Sequence, residues 1–140
     1  MLQKVLVVND NELLLMVASK VISLAKFANQ TITATDGEKA LEIFNDLIDN
    51  NNIAAAPALI LLDLNMPGMN GWDFLEIFSS NYAINFPNTK VAILSGSVEM
   101  KDMLLLVKYP IIIEYISSPI SIELLEVLEQ KYYSLQETYN

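Results

Sequence analysis

Asp63 closes a run of five apolar residues, Ala58 to Leu62, and opens the string Leu64-Asn65-Met66-Pro67-Gly68. A carboxylate at the mouth of a dry segment is penalised when ionised unless something partners it. The chain has a similar mouth near its start, where Asn9, Asp10, Asn11 and Glu12 follow Lys4 to Val8. Two more carry hydroxyls: Ser95, Gly96 and Ser97 after Lys90 to Leu94, and Ser117, Ser118 and Pro119 after Ile111 to Ile116. Two acids converging from neighbouring strands repel, and a divalent cation resolves that repulsion. The chain has no histidine and no cysteine. Any metal must therefore be held by oxygen, which points to Mg2+, Ca2+ or Mn2+. The same absences remove a Ser-His-Asp triad, a thiol nucleophile and a disulfide framework.

Each polar cluster also has a plainer reading, because Asn, Asp, Gly, Ser and Pro are ordinary loop residues. Asn9 or Asp10 suits a helix cap, Ser95 and Ser97 suit a turn or a cap, and Ser118 suits a turn hydroxyl. Asp63 fits that plainer reading least well, since five apolar residues lead into it.

The elements that must position these residues alternate along the chain. Lys4 to Val8, Thr31 to Thr35, Ala58 to Leu62, Lys90 to Leu94 and Ile111 to Ile116 are short apolar runs that suit strands buried on both faces. Helical spacing links Leu14, Val17, Ala18, Val21, Ile22 and Ala25, with Leu13, Leu15, Met16 and Leu24 outside that stripe. A second helix opens at Asp36-Gly37, with Ala40, Leu41, Phe44, Leu47 and Ile48 inward. A third spans Gly71 to Tyr82 and a fourth Val98 to Lys108. The last starts near Ser121, a suitable N-cap, with Leu124, Leu125 and Leu128 inward. In the fourth, Met100, Met103, Leu104 and Val107 form the expected inward stripe. Leu105 and Leu106 are then surplus, either as a wide core face or as a partner or dimer surface. Strict strand–helix alternation implies an α/β fold, a doubly wound parallel sheet with helices on both faces. In such sheets ligands bind beyond the carboxyl ends of the strands. Asn50 to Pro57 reads as a loop.

The chain has 140 residues, the size of one domain, expected here as a single unit over 1–140 with no separate output domain. It carries 17 acidic residues against 8 basic ones, a net charge of −9, and every basic residue is a lysine. That balance argues against nucleic-acid binding. No apolar run is long enough to span a bilayer and no signal-peptide pattern opens the chain, so the expected location is the cytoplasm.

LILLDLNMPGMNGWDFLEIF, Leu59 to Phe78, closely resembles the phosphoacceptor segment of bacterial response-regulator receiver domains. VLVVNDNE, Val5 to Glu12, resembles their first strand and acidic pair. TDGEKALEIF, Thr35 to Phe44, is also typical of them. AILSGS, Ala92 to Ser97, resembles their fourth strand, and EYISSPIS, Glu114 to Ser121, their fifth strand with its Lys-Pro. The resemblance implies a flavodoxin-like five-stranded parallel sheet in order 2-1-3-4-5. It implies a two-component signalling role, without enzymatic activity, through phosphoryl transfer from a histidine kinase or phosphotransfer protein to Asp63. A downstream protein would then read the signal by contact. It further implies that Asp10, Asp63 and the backbone carbonyl of Asn65 ligate Mg2+, with Asn9 acting through water. Ser95 would hydrogen-bond the phosphoryl group, Tyr115 would change rotamer in the switch, and Pro119 would follow a cis peptide bond.

Two positions depart from the family pattern. Asn9 replaces the first acid of the usual pair, and Ser118 replaces the usual lysine. The usual set of three carboxylates, one Mg2+ and one lysine is neutral. Asp10 and Asp63 with one Mg2+ are neutral as well, so the two departures offset each other in charge. A pseudo-receiver, the same fold used as an interaction module without phosphorylation, is the rival reading and is favoured by the missing lysine. A phosphatase of the aspartyl-phosphate type needs a second acid two residues after the nucleophile, where this chain has Asn65. A nucleotide or flavin domain lacks its glycine-rich loop.

Overall fold

In a computed structural model, residues 1–96, 99–117 and 119–139 are described. Five strands, β1 (Leu2–Val8), β2 (Ala28–Ala34), β3 (Leu59–Leu62), β4 (Lys90–Ser95) and β5 (Ile112–Ser117), alternate with five helices. These are α1 (Glu12–Leu24), α2 (Gly37–Asp49), α3 (Gly71–Asn81), α4 (Met100–Leu105) and α5 (Ile122–Tyr139). The strands form one parallel sheet in order β2-β1-β3-β4-β5. This is the doubly wound, flavodoxin-like arrangement expected from the sequence.

The central strands are dry because side chains cover both faces. Leu6, Val8, Ile60 and Leu62 point to a core shared with α2 and α3. Val5, Val7, Leu59 and Leu61 point to a core shared with α1 and α5. On the α2–α3 side, Phe44 packs edge-on against Phe78 and Phe86 at centroid distances of 4.8 and 5.0 Å. β2 begins three residues earlier than the apolar pattern suggests. It is an edge strand, and its Asn29 and Gln30 are exposed, so its start carries little apolar signal.

Three helix faces differ from the sequence expectation. In α1 the buried residues are Leu15, Ala18 and Ile22, whereas Leu14 and Val17 are exposed. Leu13 to Val17 is a continuous apolar run, so its periodicity does not define a unique face. In α5, Leu125, Leu128 and Tyr132 are buried while Leu124 is exposed. In α4 the expected stripe is reversed: Met100, Met103, Leu104 and Val107 are exposed, Leu105 and Leu106 are half-buried, and Asp102 is buried. α4 is also shorter than expected. Leu106 N–H donates to the Met103 carbonyl and Lys108 N–H to the Leu105 carbonyl, so tight turns take over from the helix.

Local chemistry sets the helix starts. Asn11 accepts from Leu13 and Leu14 N–H at the head of α1, Asp36 from Lys39 N–H at α2, and Ser121 from Leu124 N–H at α5. Asn70 and Asp73 form a reciprocal capping box at α3. Gly71 is required by close approach, since a Cβ there would lie 2.7 Å from the Asp63 carbonyl oxygen and from the Leu64 Cα. α3 thus starts pressed against the backbone that carries Asp63.

Gly71→Ala is therefore expected to lower unfolding free energy by about 1–3 kcal/mol through overpacking. Ile84→Ala, at a side chain 86% exposed, should stay within about 0.5 kcal/mol of wild type. Urea denaturation of both variants checks the contrast.

Candidate functional site

Parallel register brings the polar strand ends to one rim. Val8 pairs with Leu62 and Leu62 with Ile93, so Asn9 and Asp63 leave the sheet side by side. Asp63 N–H donates to the Val8 carbonyl at 3.0 Å and Asn9 N–H to the Ala34 carbonyl at 3.1 Å. These bonds hold the two segments in strand-like register one residue past the ladder. Ser95, buried, ends β4 and pairs with Ser117 at the end of β5. Tyr115 lies two residues back on β5, opposite Ile93.

Asp63 is half-buried and accepts a hydrogen bond from Asn65 N–H at 3.3 Å. Burial pushes its carboxyl above the usual aspartate range, and the nearby charge of Asp10 adds to the rise. The backbone N–H groups of Asn65 and Leu64 oppose it. Asp10 itself is exposed. Asn9 is buried, and its side-chain oxygen accepts from Asn11 N–H at 2.9 Å. Asn9 thus braces the turn into α1, and the cap of that helix is Asn11 rather than Asn9 or Asp10.

The donor set suits a hard divalent cation. Asp10 and Asp63 supply two mutually repelling carboxylates, and Asn65 supplies a backbone carbonyl on the same loop. Asn9 retains lone-pair capacity beyond its bond to Asn11, which suits a water-mediated contact. Among the described residues, no three acidic, histidine or cysteine side chains form a metal-holding group. Ser118 and Ser97, and with Ser118 the peptide bond before Pro119, lie outside the described residues.

A cavity of about 150 Å3 opens beside Asp63 and Asn9, walled by Leu14, Val17, Leu94 and Ile120. Leu14 and Val17, expected in the core, instead line the approach to Asp63. Their apolar type gave no hint of this; only the rotation of α1 fixes it. Tyr115 is partly buried, and among the described residues its hydroxyl has no hydrogen-bond partner. Burial, followed by the charge of Asp102, pushes that hydroxyl up to about 12. On the other side of the Asp63 loop, a cleft of about 650 Å3 lies between Asn65, Met66, Trp72, Glu99 and Asp102.

Comparison with known proteins fits this geometry. The family model for the response regulator receiver domain matches residues 5–129. The nitrate/nitrite response regulator protein NarL of Escherichia coli K12 is 36% identical over 72 residues, which are 51% of this chain and 30% of that protein. The match thus spans under a third of that relative's length. A two-component response regulator from Cytophaga hutchinsonii superposes with a TM-score of 0.85 at 23% identity, covering 95% of this chain and 98% of that one. One from Legionella pneumophila gives 0.77 at 24% identity, covering 96% and 98%. Chemotaxis protein CheY4 of Vibrio cholerae gives 0.70 at 22%, covering 93% and 98%. With the family model matched along nearly the whole chain and the sheet order in agreement, this chain belongs to the response-regulator receiver domains, signalling modules of two-component systems.

Proposed function

We propose that Asp63 accepts a phosphoryl group from a phosphohistidine on a histidine kinase or phosphotransfer protein, and that the phosphorylated domain signals by protein contact. A carboxylate oxygen of Asp63 forms a bond to phosphorus as the phosphorus–nitrogen bond breaks. The imidazole leaves with the electron pair of that bond and takes up a proton. The observation that carries this reading is Asp63 itself, a half-desolvated carboxylate beside a second acid at the end of a buried strand.

Asp10, Asp63 and the Asn65 carbonyl would hold Mg2+, with Asn9 reached through water, and Mg2+ when bound supplies countercharge to the phosphoryl oxygens. The chain's own groups position the reaction. The bond from Asn65 N–H orients one oxygen of Asp63. Leu14 and Val17 wall the cavity beside Asp63. Ser95, one residue further along β4 than the level of Asp63, is placed to hydrogen-bond the new phosphoryl group, and Tyr115 on the adjacent strand is the aromatic that responds. With Ser118 in place of the usual lysine, the phosphorylated state would have Mg2+ as its principal countercharge and should depend steeply on it.

Incubation with acetyl phosphate and Mg2+ is expected to add one phosphoryl mass to the intact protein, and Asp63→Asn should abolish it. An unmodified wild type, with a phosphodonor protein as well as with acetyl phosphate, would instead support the pseudo-receiver. Ser118→Lys should raise the labelled fraction at low Mg2+.

The raised Asp63 pKa has a stability consequence with a definite sign. The native state binds its proton at higher pH than the unfolded chain does. Its contribution to stability is thus present below the ordinary aspartate value and lost as pH rises through the native value. Asp63→Asn is therefore expected to be more stable than wild type near about pH 7, with the gap narrowing toward about pH 4. Urea denaturation at the two pH values reads this directly. Millimolar Mg2+ should raise the melting temperature of wild type and have little effect on Asp63→Asn.

A further inference from the structure

Asp63 shares its cavity with one other polar side chain. Among the described residues that line it, only Asp63 and Asn9 carry polar side chains; the others are apolar residues, a proline and a glycine. An ionised carboxylate only accepts hydrogen bonds. Within that wall, Asn9 is therefore the one side chain able to donate to an oxygen brought in on Asp63.

The direction of the Asn9 amide is fixed by its neighbours. Its backbone N–H donates to the Ala34 carbonyl at 3.1 Å, beside the bond from Asp63 N–H to the Val8 carbonyl at 3.0 Å. Its side chain is only 9% exposed, and Oδ1 accepts from Asn11 N–H at 2.9 Å. A backbone N–H can only donate, so the atom facing it is the amide oxygen and the opposite arm is the NH2 group. Among the described residues that NH2 group finds no acceptor, yet it is not sealed from solvent as the Ser79 and Tyr115 hydroxyls are. It opens onto the cavity that Asn9 and Asp63 share. A largely buried donor without an acceptor is unfavourable, and an incoming oxygen relieves that cost.

The identity of residue 9 matters here. An ionised acid at this place, as in the family pattern, offers lone pairs alone, whereas an amide offers two N–H donors. The departure at Asn9 thus puts a donor at the cavity in the same chain that carries Ser118 in place of the usual lysine. We infer that Asn9 is a phosphoryl-binding residue, whose Nδ2 donates to an oxygen of the group carried on Asp63. It supplies by a neutral hydrogen bond part of what a lysine supplies by charge. The inference rests on Asp63 being the phosphoacceptor, as proposed above. Oδ1 keeps its bond to Asn11 throughout, so the turn into α1 need not move, and its second lone pair stays available to water.

Beryllium trifluoride, which binds a carboxylate as a tetrahedral mimic of a phosphoryl group, tests this at saturating Mg2+. Nitrogen-15 NMR follows the Asn9 NH2 pair, assigned by through-bond correlation. Wild type is expected to bind the probe and Asp63→Asn is not. On binding, an Asn9 NH2 proton should shift downfield and exchange more slowly with water. Asn9→Asp keeps an acceptor for Asn11 N–H but removes the donor, and should weaken probe affinity about tenfold or more. A wild type that does not bind would overturn the phosphoacceptor reading and the donor role with it. Binding that leaves the Asn9 NH2 signals unmoved would overturn the donor role alone. So would an Asn9→Asp variant that binds the probe as tightly as wild type or more tightly.

Discussion

The structure turns on one unfavourable interaction. Asp63 is held partly out of water with Asp10 close by, and only backbone N–H groups offset the penalty. Left alone, such a carboxyl holds its proton to higher pH than a solvated aspartate does. A positive charge bound beside it would shift that balance toward the ionised form. The fold supplies the constraint through register: β1 and β3 end level, and each extends one residue by a backbone bond. Two acidic segments are thereby held together before anything binds.

The remaining elements serve that placement. β3 is four residues long and wholly buried, so Asp63 cannot slip without moving Leu59 to Leu62 through both cores. Gly71 lets α3 start directly against the Asp63 backbone, which makes the loop between them short and firmly seated. α1 covers the other side with Leu14 and Val17, which explains why apolar side chains on that helix remain outside the core. Exposed apolar side chains on α1 and α4 are the surfaces best suited to protein contact.

Much of this was legible in the sequence because the signals were local. Short Val- and Ile-rich runs, strict alternation with helices, and polar residues following four of the five strands led to the sheet and its rim. Asp36-Gly37 marked the opening of the second helix and Ser121 the cap of the last. The helix faces were less legible, for a physical reason. Leu13 to Val17 and Met103 to Val107 are apolar at nearly every position, and periodicity cannot choose a face when all faces qualify. In α4 the buried residue is Asp102, which accepts from the indole N–H of Trp72, thirty residues away in the chain. The start of β2 was missed because Asn29 and Gln30 lie on an exposed edge. Roles at the rim came from resemblance to a family, not from spacing, and the Ser118 position lies outside the described residues.

The measurement that bears most directly on this account is a carbon-13 NMR titration of the Asp63 carboxyl, run with and without Mg2+. The account predicts a midpoint above the ordinary aspartate value in the absence of Mg2+, falling when Mg2+ is added. A midpoint at the ordinary value that Mg2+ leaves unmoved would contradict it.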